Sequence, residues 1–411
     1  MSEACPLCHL TFPLSQLESH VNGHFEEDEL GRDMELARNI ELEEQIALAS
    51  SSPRTLSSGD KTAKASEQLL GNAQCGEIHI SEKIASLISC QIRSTFHRVQ
   101  EGLMTLLRRS LEMESENRQS IITGHIDHYQ SSRGEDLGWG CGWRNIQMMC
   151  SHLLMQRQDV NKVMFGGSGF VPDIPSLQRW LEIAWEMGFD MYGAESFNYK
   201  IYGSRKWIGT TECAALLRSF GLRAQIVDFG SKMGETSRSW GGQTANHIWG
   251  PMDKFLQKVP GASSDLFNHG NLKCYSTSCG NGLQILVDWV WNYFVDQSFF
   301  CSGNDHRVLV SRKTPLYFQH YGHSRTIVGI QSQRIGDGMP ERRMLLDVDP
   351  GQNTATLERS LRENDGWQKL VKRGVHTLKK PQYQLCYVDP GVALGWELEQ
   401  LKTIHRMCSS T

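Results

Sequence analysis

The sequence lacks two features that would suggest a membrane or a nucleic acid as the main partner. It has no apolar run of bilayer length, since its longest, LQILVDWVWNYFV from Leu283, is too short and is interrupted by Asp288. It also has no excess of basic residues, because its formal net charge is -4. We therefore expect no membrane partner and no direct nucleic-acid binding.

Secretory features are lacking as well. The segment MSEACPLCHL has neither a basic start nor an apolar stretch, and the 12 cysteines are scattered along 411 residues. A disulfide framework is typical of short secreted chains, so scattered thiols indicate a reducing compartment. We expect the protein in the cytoplasm, the nucleus or both.

The length of the chain predicts two to three folded units. Composition and the apolar pattern divide it further into five segments. Between Ile84 and Leu111 apolar residues recur in steps of three and four, which predicts one long amphipathic helix. Beyond about residue 120 the pattern mixes helical and strand-like stretches, which favours the α+β class. The predicted segments are a C2H2-type zinc finger (1–25), an acidic helix (26–49), a flexible linker (50–78), a helical arm (79–117) and the α+β domain (118–411).

Four residues near the start have the spacing of a structural zinc site. Cys5, Cys8, His20 and His24 form a C-x2-C-x11-H-x3-H pattern. Two thiolates and two imidazoles complete a closed tetrahedron with no open position, so the metal would have a structural role. The helix predicted to follow has no Arg or Lys to contact a base, and we therefore expect this finger to bind protein.

The acidic segment resembles an inverted ubiquitin-interacting motif. It has nine carboxylates against two arginines, and Leu36, Ala37 and Ile40 fall on one face of a helical wheel. In such motifs a central Leu-Ala pair allows a helix to lie on the hydrophobic patch of ubiquitin. The alternative interpretation is a solvated helix or a coiled-coil fragment.

One cysteine, Cys141, lies in the unusual stretch GWGCGWR. Apolar residues after it repeat with helical spacing, which places the thiol at the start of a buried helix. Free amides at a helix start lower a thiol pKa, and glycines on both sides permit close approach of a substrate backbone. Cys141 is therefore a candidate nucleophile.

A thiol nucleophile requires a base and a group that orients the base. His320 and His323 precede one apolar strand, while Asp347 and Asp349 end the next. Two adjacent strands can place a histidine opposite an aspartate. Residue patterns alone do not separate the two histidines or the two aspartates.

A family resemblance makes that choice. GWGCGWRNIQ, PLYFQHYGHSRTIVGI and LLDVDPG, with two blocks between them, resemble papain-fold cysteine peptidases of the ubiquitin-fold modifier protease family, and especially its zinc-finger-bearing deubiquitinase branch. The resemblance implies a papain-like peptidase domain with Cys141 as nucleophile, His323 as base and Asp349 as third member. It also implies an oxyanion-hole side chain at Tyr129 or Gln130, and no catalytic cofactor.

Members of that branch act on polyubiquitin, so the resemblance implies a deubiquitinase whose partners are ubiquitin or polyubiquitin chains. Weak ubiquitin-binding modules on one chain suit a polymer, because linkage raises their effective concentration. The first alternative is a protease acting on ubiquitin-fold modifier conjugates. The second is an inactive ubiquitin-binding adaptor.

Overall fold

The computed structural model describes residues 2–4, 11–13, 78–230, 282–295, 307–334, 341–404 and 406–408. In the first two ranges, β1 (Ser2–Ala4) pairs antiparallel with β2 (Thr11–Pro13). The predicted zinc ligands and ubiquitin-binding residues lie outside the described residues and stay predictions. These are Cys5, Cys8, His20 and His24 for zinc, and Leu36, Ala37 and Ile40 for ubiquitin.

Nine further strands of the described ranges form one mostly antiparallel sheet. Their bounds are β3 (Arg118–Thr123), β4 (Leu222–Gly230), β5 (Val308–Ser311), β6 (Leu316–His320), β7 (His323–Gln333), β8 (Arg342–Val348), β9 (Lys372–Gly374), β10 (Gln382–Val392) and β11 (Arg406–Cys408). Their spatial order is β11-β4-β10-β6-β7-β3-β5, with β8 paired to β7 and β9 to β8. The long strand β7 therefore pairs with three neighbours, and its first residues lie where β6 and β8 meet it.

Helices pack on both faces of this sheet. Their bounds are α1 (78–90), α2 (Leu103–Glu112), α3 (Cys141–Gln156), α4 (Gln158–Asn161), α5 (Ile174–Glu186), α6 (Met191–Ser196), α7 (Thr210–Ser219), α8 (Gly282–Phe294), α9 (Thr354–Glu363), α10 (Trp367–Val371) and α11 (Trp396–Leu401). Among the described helices, none combines the length and apolar character that a membrane crossing requires. The predicted α+β class is confirmed.

Alternation along the strands separates two apolar cores. On β4, Ile226 belongs to the core shared with Trp143 of α3, whereas its neighbour Val227 belongs to the core shared with Leu286 of α8. Successive strand side chains point to opposite faces, so each face acquires its own helical cover. Helix α3 packs directly on β7, which brings the start of that helix close to the start of that strand.

The prediction of one continuous helix from Ile84 to Leu111 was wrong. The chain leaves the helical conformation after residue 90 and resumes it at Leu103. In between, Ser94 N–H donates to the carbonyl of Val171 at 2.9 Å, and Ile92 accepts from Asp173 N–H at 2.8 Å. These tertiary hydrogen bonds replace the helical ones, while the spaced apolar side chains still reach the core.

Candidate active site

Cys141 is the first residue of α3, as the sequence predicted. Gly138, just before it, has φ 95°, a left-handed conformation that favours glycine. Gly142 is also required, because a Cβ there would lie 2.7 Å from the side chain of Ile208 and 2.8 Å from its carbonyl oxygen. The thiol is partly exposed at the end of an otherwise buried helix. Helix-terminal amides surround this position and favour a thiolate.

A buried ion pair holds the turn that leads into α3. The Arg144 guanidinium donates to both carboxylate oxygens of Asp136, from Nε at 3.0 Å and from the NH2 nitrogen at 2.8 Å. The Asp136 carbonyl accepts from Gly140 N–H at 2.7 Å. This bidentate pair fixes the backbone immediately before Cys141. Sequence reasoning missed it, although both residues flank the cysteine motif.

His323 and Asp349 approach each other from two adjacent strands. His323 begins β7, and Asp349 follows the last residue of the antiparallel strand β8. His323 Nε2 donates to Asp349 Oδ1 at 2.8 Å. Asp349 also accepts from Arg325 Nε at 2.7 Å and from Gly351 N–H at 2.8 Å. Three donors thus hold the carboxylate that orients the imidazole.

The electrostatics of Cys141 and His323 favour an ion pair. Burial acts to raise the pKa of the Cys141 thiol, but the hydrogen bond and charge of His323, with hydrogen bonds from Ser324, bring it below its ordinary value. Burial acts to lower the pKa of His323, but hydrogen bonds to Asp349 and Cys141 raise it to about 10. Near neutral pH these shifts favour a thiolate beside an imidazolium.

The two alternative residues lie in a different environment. His320 Nδ1 donates to the carbonyl of Tyr321 at 2.9 Å, and burial lowers the pKa of His320 to about 4. Asp347 is fully buried, and burial raises its pKa to about 6. Its nearest cations are Arg373 Nε at 3.5 Å and an Arg325 NH1 nitrogen at 3.8 Å. The structure therefore brings His323, not His320, to the thiol and to Asp349.

The two oxyanion-hole candidates differ in their surroundings. Tyr129 is buried, its ring centroid lies 4.7 Å from that of Phe96, and burial raises the pKa of its hydroxyl. Gln130 Oε1 accepts from the N–H of Thr354 at 2.7 Å, which directs the opposite end of the amide, its NH2 donor, away from Thr354. The next residue, Ser131, donates its N–H to the carbonyl of Pro350 at 2.7 Å. Gln130 is thus held beside the Asp349 turn.

Sequence reasoning also missed a buried polar group behind the thiol. Asn145 Nδ2 donates to the carbonyl of Cys141 at 2.7 Å and to Ser324 Oγ at 2.9 Å. Thr326 Oγ1 donates to Asn145 Oδ1 at 2.7 Å. A signal was present, since Asn145 lies one helical turn after Cys141 and the two hydroxyls alternate with His323 and Arg325 on β7.

Curated relatives of this chain are described as ubiquitin or ubiquitin-like peptidases. "Zinc finger-containing ubiquitin peptidase 1" of Bos taurus is 29% identical over 417 residues, and the alignment covers 94% of this chain and 62% of that protein. "Ubiquitin carboxyl-terminal hydrolase mug105" of Schizosaccharomyces pombe is 37% identical over 123 residues, covering 30% of this chain and 49% of that protein. "Ufm1-specific protease 1" of Mus musculus is 35% identical over 106 residues, covering 25% of this chain and 39% of that protein. The chain thus spans less than two thirds of the length of these relatives.

The family model described as "Peptidase family C78" matches residues 115–386. That range contains Cys141, His323 and Asp349, and it extends over more than half of the chain. The chain therefore belongs to peptidase family C78, a family of cysteine peptidases, as its motifs predicted.

Proposed function

We propose that this protein is a deubiquitinating cysteine peptidase that hydrolyses isopeptide bonds in polyubiquitin. The observation that carries the proposal is the contiguous arrangement of Cys141, His323 and Asp349, with the imidazole bonded to Asp349 at 2.8 Å and contacting the thiol. A thiolate, a protonated base and an orienting carboxylate are the groups that acyl transfer requires.

The reaction proceeds in two halves. The Cys141 thiolate attacks the carbonyl carbon of the isopeptide bond, and the carbonyl oxygen takes the negative charge. As the C–N bond breaks, His323 gives its proton to the leaving lysine amine, and a thioester remains on Cys141. His323 then takes a proton from water, whose oxygen attacks the thioester, and the carboxylate product leaves as the thiolate reforms.

We assign the oxyanion hole to the amide NH2 of Gln130 and to the backbone N–H groups at the start of α3. Gln130 has one amide end fixed by Thr354, so its donor is oriented before substrate binds. Tyr129 is less suited, because its ring packs in the core against Phe96.

Three features support ubiquitin as the modifier. Two relatives carry ubiquitin in their names, and one of them is also named for a zinc finger. The predicted zinc ligands Cys5, Cys8, His20 and His24, and the predicted contact residues Leu36, Ala37 and Ile40, belong to modules suited to binding further ubiquitin units. We propose structural zinc for the first module, and the cytoplasm or nucleus as the location.

A second candidate function is cleavage of Ufm1 conjugates, since one relative is named a Ufm1-specific protease. Electrophilic probes built on ubiquitin and on Ufm1 distinguish the two. We expect the ubiquitin probe to label Cys141 and the Cys141→Ala variant to bind polyubiquitin without cleaving it.

Labelling by the Ufm1 probe alone would reverse the substrate assignment, and turnover by Cys141→Ala would exclude Cys141 as the nucleophile. Intact chains after incubation with wild-type protein that still binds them would favour the inactive adaptor.

A further inference from the structure

A chain of hydrogen bonds connects strand β7 to the backbone of Cys141. Thr326 Oγ1 lies 2.7 Å from Asn145 Oδ1, and Asn145 Nδ2 lies 2.9 Å from Ser324 Oγ and 2.7 Å from the carbonyl oxygen of Cys141. Thr326, Asn145 and Ser324 are all buried. These groups therefore satisfy one another within the protein, because burial deprives their hydrogen bonds of competition from bulk water.

The direction of each bond follows from the carbonyl of Cys141. A carbonyl only accepts, so the amide end of Asn145 that faces it must be the NH2 group. The other end is then the oxygen Oδ1, and Thr326 must donate to it. Both hydrogens of Asn145 Nδ2 are used, one on the Cys141 carbonyl and one on Ser324 Oγ.

Ser324 therefore receives a hydrogen bond from Asn145 and retains its own hydroxyl proton. The Asn145 amide nitrogen lies 2.9 Å from Ser324 Oγ and 2.7 Å from the Cys141 carbonyl oxygen, which places the Ser324 hydroxyl beside Cys141. Hydrogen bonding from Ser324 acts to lower the pKa of the Cys141 thiol and of the Tyr317 hydroxyl, so these two groups are the acceptors to compare. Tyr317 uses its own proton on the carbonyl of Ile208 at 3.4 Å and is neutral, because burial raises the pKa of its hydroxyl. A bond to an anionic acceptor is roughly twice as strong as one to a neutral acceptor, so the thiolate attracts the proton.

We propose that Ser324 stabilises the nucleophile by donating its hydroxyl proton to the Cys141 thiolate, and that Asn145 and Thr326 position Ser324 for this bond. The inference rests on the proposed function, in which Cys141 acts as the nucleophile. Because side chains alternate along β7, one short stretch of this strand contacts both Asp349 and α3. His323 and Arg325 turn toward Asp349, while Ser324 and Thr326 turn toward α3.

The test measures the pKa of Cys141 without a ubiquitin substrate. Full-length wild-type, Ser324→Ala and Ser332→Ala proteins are alkylated with iodoacetamide across a range of pH, and modification of the Cys141 peptide is followed by mass spectrometry. Losing a hydrogen bond to a charged group should raise the apparent thiol pKa by about one unit in Ser324→Ala. Ser332→Ala is the matched control, since it removes another buried hydroxyl from β7, one that bonds Glu341 at 2.7 Å. It should titrate like wild type.

A second variant covers the case in which Ser324→Ala does not fold. Thr326→Val leaves the Ser324 hydroxyl present but removes the donor to Asn145 Oδ1, so the amide that holds Ser324 is no longer fixed at its other end. We expect a smaller rise in the thiol pKa than in Ser324→Ala, with native circular dichroism.

The outcomes separate this inference from the proposed function. An unchanged Cys141 pKa in folded Ser324→Ala, or in Thr326→Val where the first variant does not fold, overturns the role of Ser324, even when wild-type protein cleaves polyubiquitin. If wild-type protein cleaves nothing and its Cys141 titrates as an ordinary thiol, the proposed function has failed as well.

Discussion

Two histidine–aspartate combinations occur on neighbouring strands of the sheet, and they differ in hydrogen bonding and in pKa. His320 ends β6 and His323 begins β7, while Asp347 lies in β8 and Asp349 just after it. His323 and Asp349 bond at 2.8 Å, the pKa of His323 is raised to about 10, and that of Asp349 lies well below its usual range. In the other combination both shifts have the opposite direction. Burial lowers the pKa of His320 to about 4 and raises that of Asp347 to about 6. A displacement of two or three residues therefore exchanges a charged pair for groups that resist ionisation.

The difference follows from where each residue lies relative to the end of its strand. Asp347 is within β8, paired with Ile327, and is enclosed by the sheet. Asp349 lies one residue beyond β8, where the turning backbone supplies the N–H of Gly351. Burial alone disfavours both charges, and only the residue with several donors overcomes that cost.

The largest expected effect is on the two histidines. His323→Ala should lower kcat/KM for polyubiquitin hydrolysis by about 10,000-fold or more, because it removes the general base and the partner of the thiolate. His320→Ala should cost far less, since the hydrogen bond described for His320 goes to the carbonyl of Tyr321 and its ring otherwise packs on aromatic neighbours. Steady-state kinetics on purified variants with matched thermal stability would check this. Equal losses would remove the distinction between the two combinations.

Asp349→Asn is expected to have the next largest effect, lowering kcat/KM by about a thousand- to ten-thousand-fold. The amide no longer favours the imidazolium or fixes the tautomer that faces Cys141. The same kinetic assay applies, with Asp347→Asn as the isosteric control two residues away. A larger loss in the control than in Asp349→Asn would contradict the assignment.

The pH dependence of wild-type activity sharpens the comparison further. The pKa of His323 is raised from 6.5 to about 10, so its bond to Asp349 contributes stability that is fully present below pH 6.5 and is lost as pH rises through about 10. We expect activity to rise at a pH below the ordinary thiol pKa and to decline near pH 10. In Asp349→Asn the alkaline decline should move to lower pH. Profiles of kcat/KM against pH for both proteins would check this. An alkaline decline at the same pH in both would contradict the role of Asp349 in raising the pKa of His323.

Much of the site was predictable from local patterns, and the remainder depends on contacts between distant segments. Helical spacing after Cys141 correctly predicted that the thiol begins a helix. Residue patterns could not separate His323 from His320, because the choice depends on which side chain the strand end brings to the thiol. The bonds from Asn145 to Ser324 span 179 residues in sequence, and no local pattern reports such a contact.

The helix predicted from Ile84 to Leu111 shows the opposite failure, in which a local pattern was present and misleading. Apolar residues at helical spacing also occur in the non-helical stretch 91–102, where Phe96 packs on Tyr129. At Ile92 and Ser94 the backbone of that stretch bonds to residues around Val171 instead of making helical hydrogen bonds. Periodicity identified which side chains are buried, but tertiary hydrogen bonds decided the backbone conformation.

The smallest effect on activity is expected at Asp347, where the consequence is for stability. Burial raises the folded-state pKa of Asp347 from 3.8 to about 6, so the folded protein binds this proton more tightly than the unfolded chain does. Stability is therefore lost as pH rises from about 4 to about 6, and the penalty is complete above that range. Asp347→Asn removes the ionisation, so its free energy of unfolding relative to wild type should rise by about 2 to 3 kcal/mol between pH 4 and pH 7. Denaturant unfolding at several pH values measures this difference, and a constant offset across the range would mean that folding does not raise the pKa of Asp347.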